Sequence, residues 1–121
     1  MTIGTLSEGC LFVQVQPEPE MVTQLKELNE SVSGRCDFDV VIDLSMAEMI
    51  TSASISNLLI LQQWLQGSGH RLILCGVRVP TKCIFKTVGL DECFCFAKDK
   101  FSAMAALKPG EEPSEDVSRP Q

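Results

Sequence analysis

The sequence predicts an α/β fold: one mixed sheet of four or five strands with about four helices, in the order β-β-α-β-α-β-α-β-α. Three observations lead there. Val40, Val41 and Ile42 form a run of β-branched residues with no polar alternation, as in a strand covered on both faces. RLILCGV, Arg71 to Val77, is a second run of that kind. Between them, from Thr51 to Gln66, the apolar residues recur at helical spacing. Strand, helix and strand at these lengths make a parallel crossover, with the two strands as neighbours.

Each element has its own signal. Thr2–Leu6 and Cys10–Gln16 read as two short strands around a Glu8-Gly9 turn. In the second, Leu11, Val13 and Val15 alternate with Cys10, Phe12, Gln14 and Gln16, the one-sided pattern of an antiparallel or edge pair. QPEPE stops it, because proline cannot donate to a ladder. Pro19 then suits a helix start, with Glu18 and Glu20 at the positive end of the dipole. Met21, Leu25, Leu28 and Val32 give that helix its apolar stripe, and Ser33-Gly34 ends it.

After the central strand, Ser45–Ile50 is a crossing loop. The helix beyond it carries Ile55, Leu58, Leu59 and Leu65 on one side and stops at Gly67-Ser68-Gly69. Pro80 opens the next helix, with Ile84, Phe85 and Val88 inward and Gly89 as its stop. Cys93–Phe96 is a short last strand. Asp99 caps a final helix with Phe101, Met104, Ala105 and Leu107 inward. Residues 1–107 are expected to be one domain. KPGEEPSEDVSRPQ, residues 108–121, reads as an acidic mobile tail, too polar to repay the entropy of ordering.

Composition narrows the function. The net charge is −6, with scattered basic residues, which argues against nucleic acid and acidic membranes as partners. No apolar run reaches the roughly 18 residues of a membrane span, and MTIGTLSEGC lacks the pattern of a secretory signal. Cys10, Cys36, Cys75, Cys83, Cys93 and Cys95 form no C-x-x-C pair, and His70 is the single histidine. These spacings suit neither zinc nor a disulfide framework, so the thiols are expected to be reduced and mostly buried, in the cytoplasm. No cofactor or metal is called for. No G-x-S-x-G elbow, Gly-rich phosphate loop or H-E-x-x-H is present, so the chain does not read as an enzyme.

The functional clue is the crowd of hydroxyls at Thr51, Ser52, Ser54 and Ser56. A helix start needs one N-cap, worth about 1 kcal/mol, and four exceed that need. Ile60 and Trp64 lie on the far side from the core stripe, down the same ladder as Ser52 and Ser56. Either a neighbouring helix covers Trp64, or this second apolar line is a partner surface with the serines at its top. The candidate contact residues are therefore Asp43, Thr51, Ser52, Ser54, Ser56, Ile60 and Trp64.

VVIDLSMAEMITSASISNLL resembles the central signature of the STAS domain, the fold of bacterial anti-sigma factor antagonists, which runs V-[VI]-[LV]-D-L-S-x-[VA]-x-x-[IM]-D-S-[SA]-G-[LI]. The resemblance continues through RLILCGV and VPTKCIFKTVGLDECF, and extends from Pro19 to Leu107. It implies a partner switch. In such antagonists the signature serine is phosphorylated by an anti-sigma factor that is itself a serine kinase; the unmodified form binds that kinase and the phosphorylated form lets go. The matching position is Ser52, with Thr51 as the alternate acceptor, and Asp43 matches the strand-end acid. Thr51 stands where the family has Asp, and Ser54 where it has Gly. Those departures favour another role, a scaffold or regulatory subunit that is never phosphorylated and docks to a transporter ATPase or a larger signalling complex. Ser52 itself favours the switch. The chain is expected to be a monomer or weak dimer.

Overall fold

A computed structural model of the chain describes residues 2–7, 9–32 and 37–107. The five strands are β1 (Thr2–Ser7), β2 (Cys10–Gln14), β3 (Asp39–Asp43), β4 (Leu72–Cys75) and β5 (Cys95–Ala97). The helices are α1 (Glu20–Val32), α2 (Ser52–Gly67), α3 (Val79–Thr87) and α4 (Lys100–Leu107). The sheet order is β1-β2-β3-β4-β5. β1 is antiparallel to β2, and β2 to β5 run parallel. The expected neighbours β3 and β4 pair with Val40 opposite Leu72 and Asp43 opposite Cys75.

Strands that follow one another across the sheet, joined by crossovers of one hand, place their helices on one face. Residues of α1, α2 and α3 accordingly share a core with Val13, Val15, Val40, Ile42, Leu72 and Leu74. The alternate strand residues point the other way: Cys10, Val41, Ile73 and Cys75 pack against Ala103 and Leu107 of α4. Val40, Val41 and Ile42 are all fully buried, which is why this strand shows no alternation. Phe85 fills the base of α3 and meets Phe94 and Phe96 edge-to-face, with ring centroids 5.5 and 5.6 Å away.

Several expectations need correction. The antiparallel pair of β1 and β2 forms as expected, but β2 is not one-sided. It lies between β1 and β3, with Leu11 against one core and Cys10 and Phe12 against the other. In α3 the inward residues are Thr81 and Phe85; Ile84 is half-buried, and Val88, the C-cap residue, has left the helical face and is 53% exposed. In α4 the buried pair is Ala103 and Leu107, while Ala105 is exposed, Met104 is half-buried and Phe101 is 72% exposed. The cap sets that phase: Asp99 accepts from the Ser102 N–H at 2.8 Å and starts the helix at Lys100. The last strand starts at Cys95, not Cys93. Thiols are less buried than expected. Cys10 and Cys75 are buried, but Cys83, Cys93 and Cys95 are exposed, because they sit on the outer side of α3 and on the short edge around β5. All five are free; Cys36 and the expected tail lie outside the described residues. No helix among the described residues is long and apolar enough to cross a membrane.

Candidate functional site at the start of helix α2

The carboxyl ends of the parallel strands form one edge, where Gln14 pairs with Asp43, Asp43 with Cys75 and Cys75 with Ala97. Open α/β sheets place their sites at this edge. The loop from β3 to α2 leaves here. Leu44 N–H donates to the Cys75 carbonyl, and Leu44, Ala47 and Ile50 are buried anchors. Met46 and Met49 between them are 47% and 59% exposed. Glu48 meets Arg78 of the β4–α3 loop at 3.3 Å, which clips the two loops together beside exposed Val79. This ion pair is solvent-exposed and contributes little to stability.

Thr51 is the N-cap of α2, in extended conformation, and its hydroxyl accepts from the Ser54 N–H. The Thr51 N–H and Oγ1–H both donate to Glu18 Oε2, at 2.9 and 3.1 Å. Thr51 is thus the cap and Ser52 the first helical residue. Ser52 is exposed, and nothing among the described residues hydrogen-bonds its hydroxyl. Ser56, one turn on, is also exposed. Ser54 faces inward and is fully buried, its hydroxyl without a partner among the described residues. The Ser54 side chain therefore occupies the interior and leaves the outer surface clear.

Ile60 and Trp64 are 44% and 36% exposed and line a shallow cavity of about 400 Å³ with Gln63, Gly67 and Ser68. Among the described residues the outer face of α2 is thus left partly open, with no helix packed over Ile60 and Trp64.

Asp43 looks elsewhere. Its Oδ1 accepts from the Ser45 N–H at 2.9 Å and its Oδ2 from Gln14 Nε2 at 3.0 Å. Alternation along β3 turns it to the α4 side, where it lines a second cleft of about 500 Å³ with Phe12, Cys75, Gly76, Lys98 and Lys100. The carboxylate at the head of α2 is Glu18, not Asp43. In the same cleft, burial first, then the Asp43 and Asp99 charges, push the Cys75 thiol up to about 12, so it stays protonated. The Lys100 ammonium lies 5.3 Å from the Phe12 ring centroid. No cluster of three metal-ligating side chains occurs among the described residues.

Glu18, Met46 and Met49 were missed as site residues. Glu18 read as a dipole partner for α1, and nothing in the sequence shows that it reaches Thr51. The two methionines were readable: paired flexible apolar side chains in a loop that should be polar mark a contact surface.

No protein-family model matches the sequence, and no curated protein matches it. Solved structures do match its fold. An anti-sigma-factor antagonist (STAS) domain protein from Planctomyces limnophilus superimposes with a TM-score of 0.75 at 17% identity, covering 88% of this chain and 96% of that one. RsbS from Moorella thermoacetica, in a variant with glutamate in place of a serine, gives 0.72 at 17% identity, over 88% of this chain and 92% of its own. A chain of the stressosome, a signal integration and transduction hub, gives 0.68 at 22% identity, covering 88% and 95%. Together with the strand order and the helix placement, these matches establish that the chain has the STAS-domain fold.

Proposed function

We propose that the chain is a partner switch of the anti-sigma factor antagonist kind, working in the cytoplasm. The unmodified protein docks the head of α2, with the adjoining Met46 and Met49 loop, onto an anti-sigma factor that is a serine kinase. Phosphorylation of Ser52 releases it. The observation that carries this reading is the division of labour at the helix start: Thr51 is committed to the cap and to Glu18, while the neighbouring Ser52 hydroxyl is exposed and has no hydrogen-bond partner among the described residues. That favours Ser52 over Thr51 as the acceptor.

The chemistry suits the place. Ser52 Oγ attacks the terminal phosphorus of a nucleoside triphosphate held by the kinase. The bond to the bridging oxygen breaks, the diphosphate leaves, and the hydroxyl proton passes to a base of the kinase. The phosphate then sits beside first-turn N–H groups that have no intrahelical acceptor, at the positive end of the dipole. It adds roughly −1.5 to −2 of charge. Inside an interface, desolvating that charge is costly, and the partner leaves.

A constitutive scaffold role is the second reading, favoured by the open line of Ile60 and Trp64, which needs no modification to bind. Incubation with anti-sigma-type serine kinases and ATP, followed by intact mass and peptide mapping, separates the two. One phosphate on the Ser52 peptide, absent from Ser52→Ala, supports the switch. A kinase that binds the chain tightly yet adds no phosphate overturns it in favour of the scaffold.

A further inference from the structure

Glu18 sits oddly for a structural acid. It comes from the β2–α1 connection, 33 residues away from Thr51, and spends one carboxylate oxygen on both Thr51 donors. Its other oxygen, Oε1, is buried and has no hydrogen-bond partner among the described residues. A buried carboxylate oxygen without a donor is costly, and it makes this anion sensitive to any second negative charge nearby. The connection that carries it is tied at its start through Val15 N–H to the Asp43 carbonyl at 3.3 Å and Gln16 N–H to Gln24 Oε1 at 2.8 Å, and at its end through Met21 N–H to the Pro17 carbonyl at 3.3 Å.

We propose that Glu18 is a charge-sensing latch on the switch: it holds the α2 cap while Ser52 is neutral and lets go when Ser52 carries a phosphate. The inference rests on Ser52 being the modified residue. An acid in the first turn ordinarily stabilises a helix. Here the positive end is already occupied by the Glu18 carboxylate, bonded to the residue immediately before Ser52. A second anion at Ser52, the residue next to Thr51, repels the Glu18 carboxylate bonded there. The Thr51 N–H loses its acceptor, and the segment from Pro17 to Pro19 is freed from α2. Phosphorylation then does two things at once: it puts charge on the contact surface and changes the shape of the loop beside it.

The test uses the isolated chain, with no partner. Phosphoserine is installed at position 52, and amide hydrogen exchange at Thr51 is compared with the unmodified chain. The latch predicts that Thr51 protection falls by roughly tenfold or more, the loss of one charge-assisted hydrogen bond. A double-mutant cycle adds a readout that a merely structural role would not move. In the wild-type background Ser52→Asp lowers the folding equilibrium constant by about twofold to fivefold, and in Glu18→Gln it raises it, because the dipole term is then unopposed. Unchanged Thr51 protection in the phosphoserine chain overturns the latch. So does an effect of Ser52→Asp that has the same sign in both backgrounds. The exchange comparison needs no Glu18 variant, so it decides even if Glu18→Gln folds poorly. Because no partner is present, failure here leaves partner release at Ser52 standing, and failure of partner release leaves the exchange result standing.

Discussion

Gly76→Ala should be among the most damaging small substitutions in the chain. Gly76 follows β4 at φ +65°, in the left-handed region that favours glycine. That conformation alone costs an alanine roughly 1–2 kcal/mol. The new Cβ would also lie 2.6 Å from Asp43 Oδ1 and 3.0 Å from Ser45 Cβ. The carboxylate cannot simply swing aside, because Oδ1 holds the Ser45 N–H and Oδ2 holds Gln14. Relieving the clash sacrifices at least one charged hydrogen bond, about 1.5–3 kcal/mol. The sum is about 2.5–5 kcal/mol, a Tm drop of roughly 10 °C or more for a domain of this size. Thermal and urea unfolding measure it. In an Asp43→Ala background, which removes the obstructing carboxylate, the cost should shrink toward the backbone term of about 1–2 kcal/mol. A Gly76→Ala protein that loses less than about 1 kcal/mol, or that loses the same amount in both backgrounds, would refute the reasoning.

Further outcomes are expected. Phe85→Ala empties the fully buried site between Phe94 and Phe96 and should cost about 3–5 kcal/mol in urea unfolding. Thr51→Ala removes the cap and one Glu18 contact and should cost about 1–2 kcal/mol, whereas Ser52→Ala, at an exposed and unbonded hydroxyl, should stay within about 0.5 kcal/mol of wild type. Under native conditions a thiol reagent should modify Cys83, Cys93 and Cys95 quickly, and Cys10 and Cys75 only on unfolding. Burial raises both buried thiols above their ordinary 9.0, Cys75 to about 12. The unfolded chain therefore releases protons first as pH rises. Stability from the Cys75 thiol is complete below about pH 9 and is lost as pH rises toward about 12, by up to roughly 1.4 kcal/mol per unit. Cys75→Ser should flatten that loss.

The parallel heart of the fold was legible because its strands are buried on both faces and therefore read as unbroken apolar runs: Val40 to Ile42 and Leu72 to Cys75. The stripe of α1 was equally plain, since Met21, Leu25, Leu28 and Val32 all point into one core. What failed depended on helix phase over short lengths. In the eight residues of α4 the Asp99 cap was readable but the inward face was not: Phe101 and Ala103 lie about 200° apart around the helix, and Ala103 with Leu107 faces the sheet. The serine cluster was visible, but its division of labour was not. Whether a first-turn hydroxyl caps, faces the core or faces water is set by a rotation of about 100° per residue, which gave Thr51, Ser54 and Ser52 three different fates. The tie from Glu18 to Thr51 is a long-range contact that no local pattern records.

The most direct test of the switch is equilibrium binding to the anti-sigma-type serine kinase that phosphorylates the chain, comparing wild type, Ser52→Ala and Ser52→Asp by calorimetry, with circular dichroism to show that all three are folded. The loss of about twofold to fivefold in folding equilibrium that the Glu18 latch expects of Ser52→Asp is too small to unfold the domain, so weaker binding by folded protein reports on the contact. The account predicts that Ser52→Ala binds as wild type does and is not released by ATP, while Ser52→Asp binds at least about tenfold more weakly, the effect of placing one charge in a desolvated contact. Equal affinity for Ser52→Asp and Ser52→Ala, in folded protein, would contradict it.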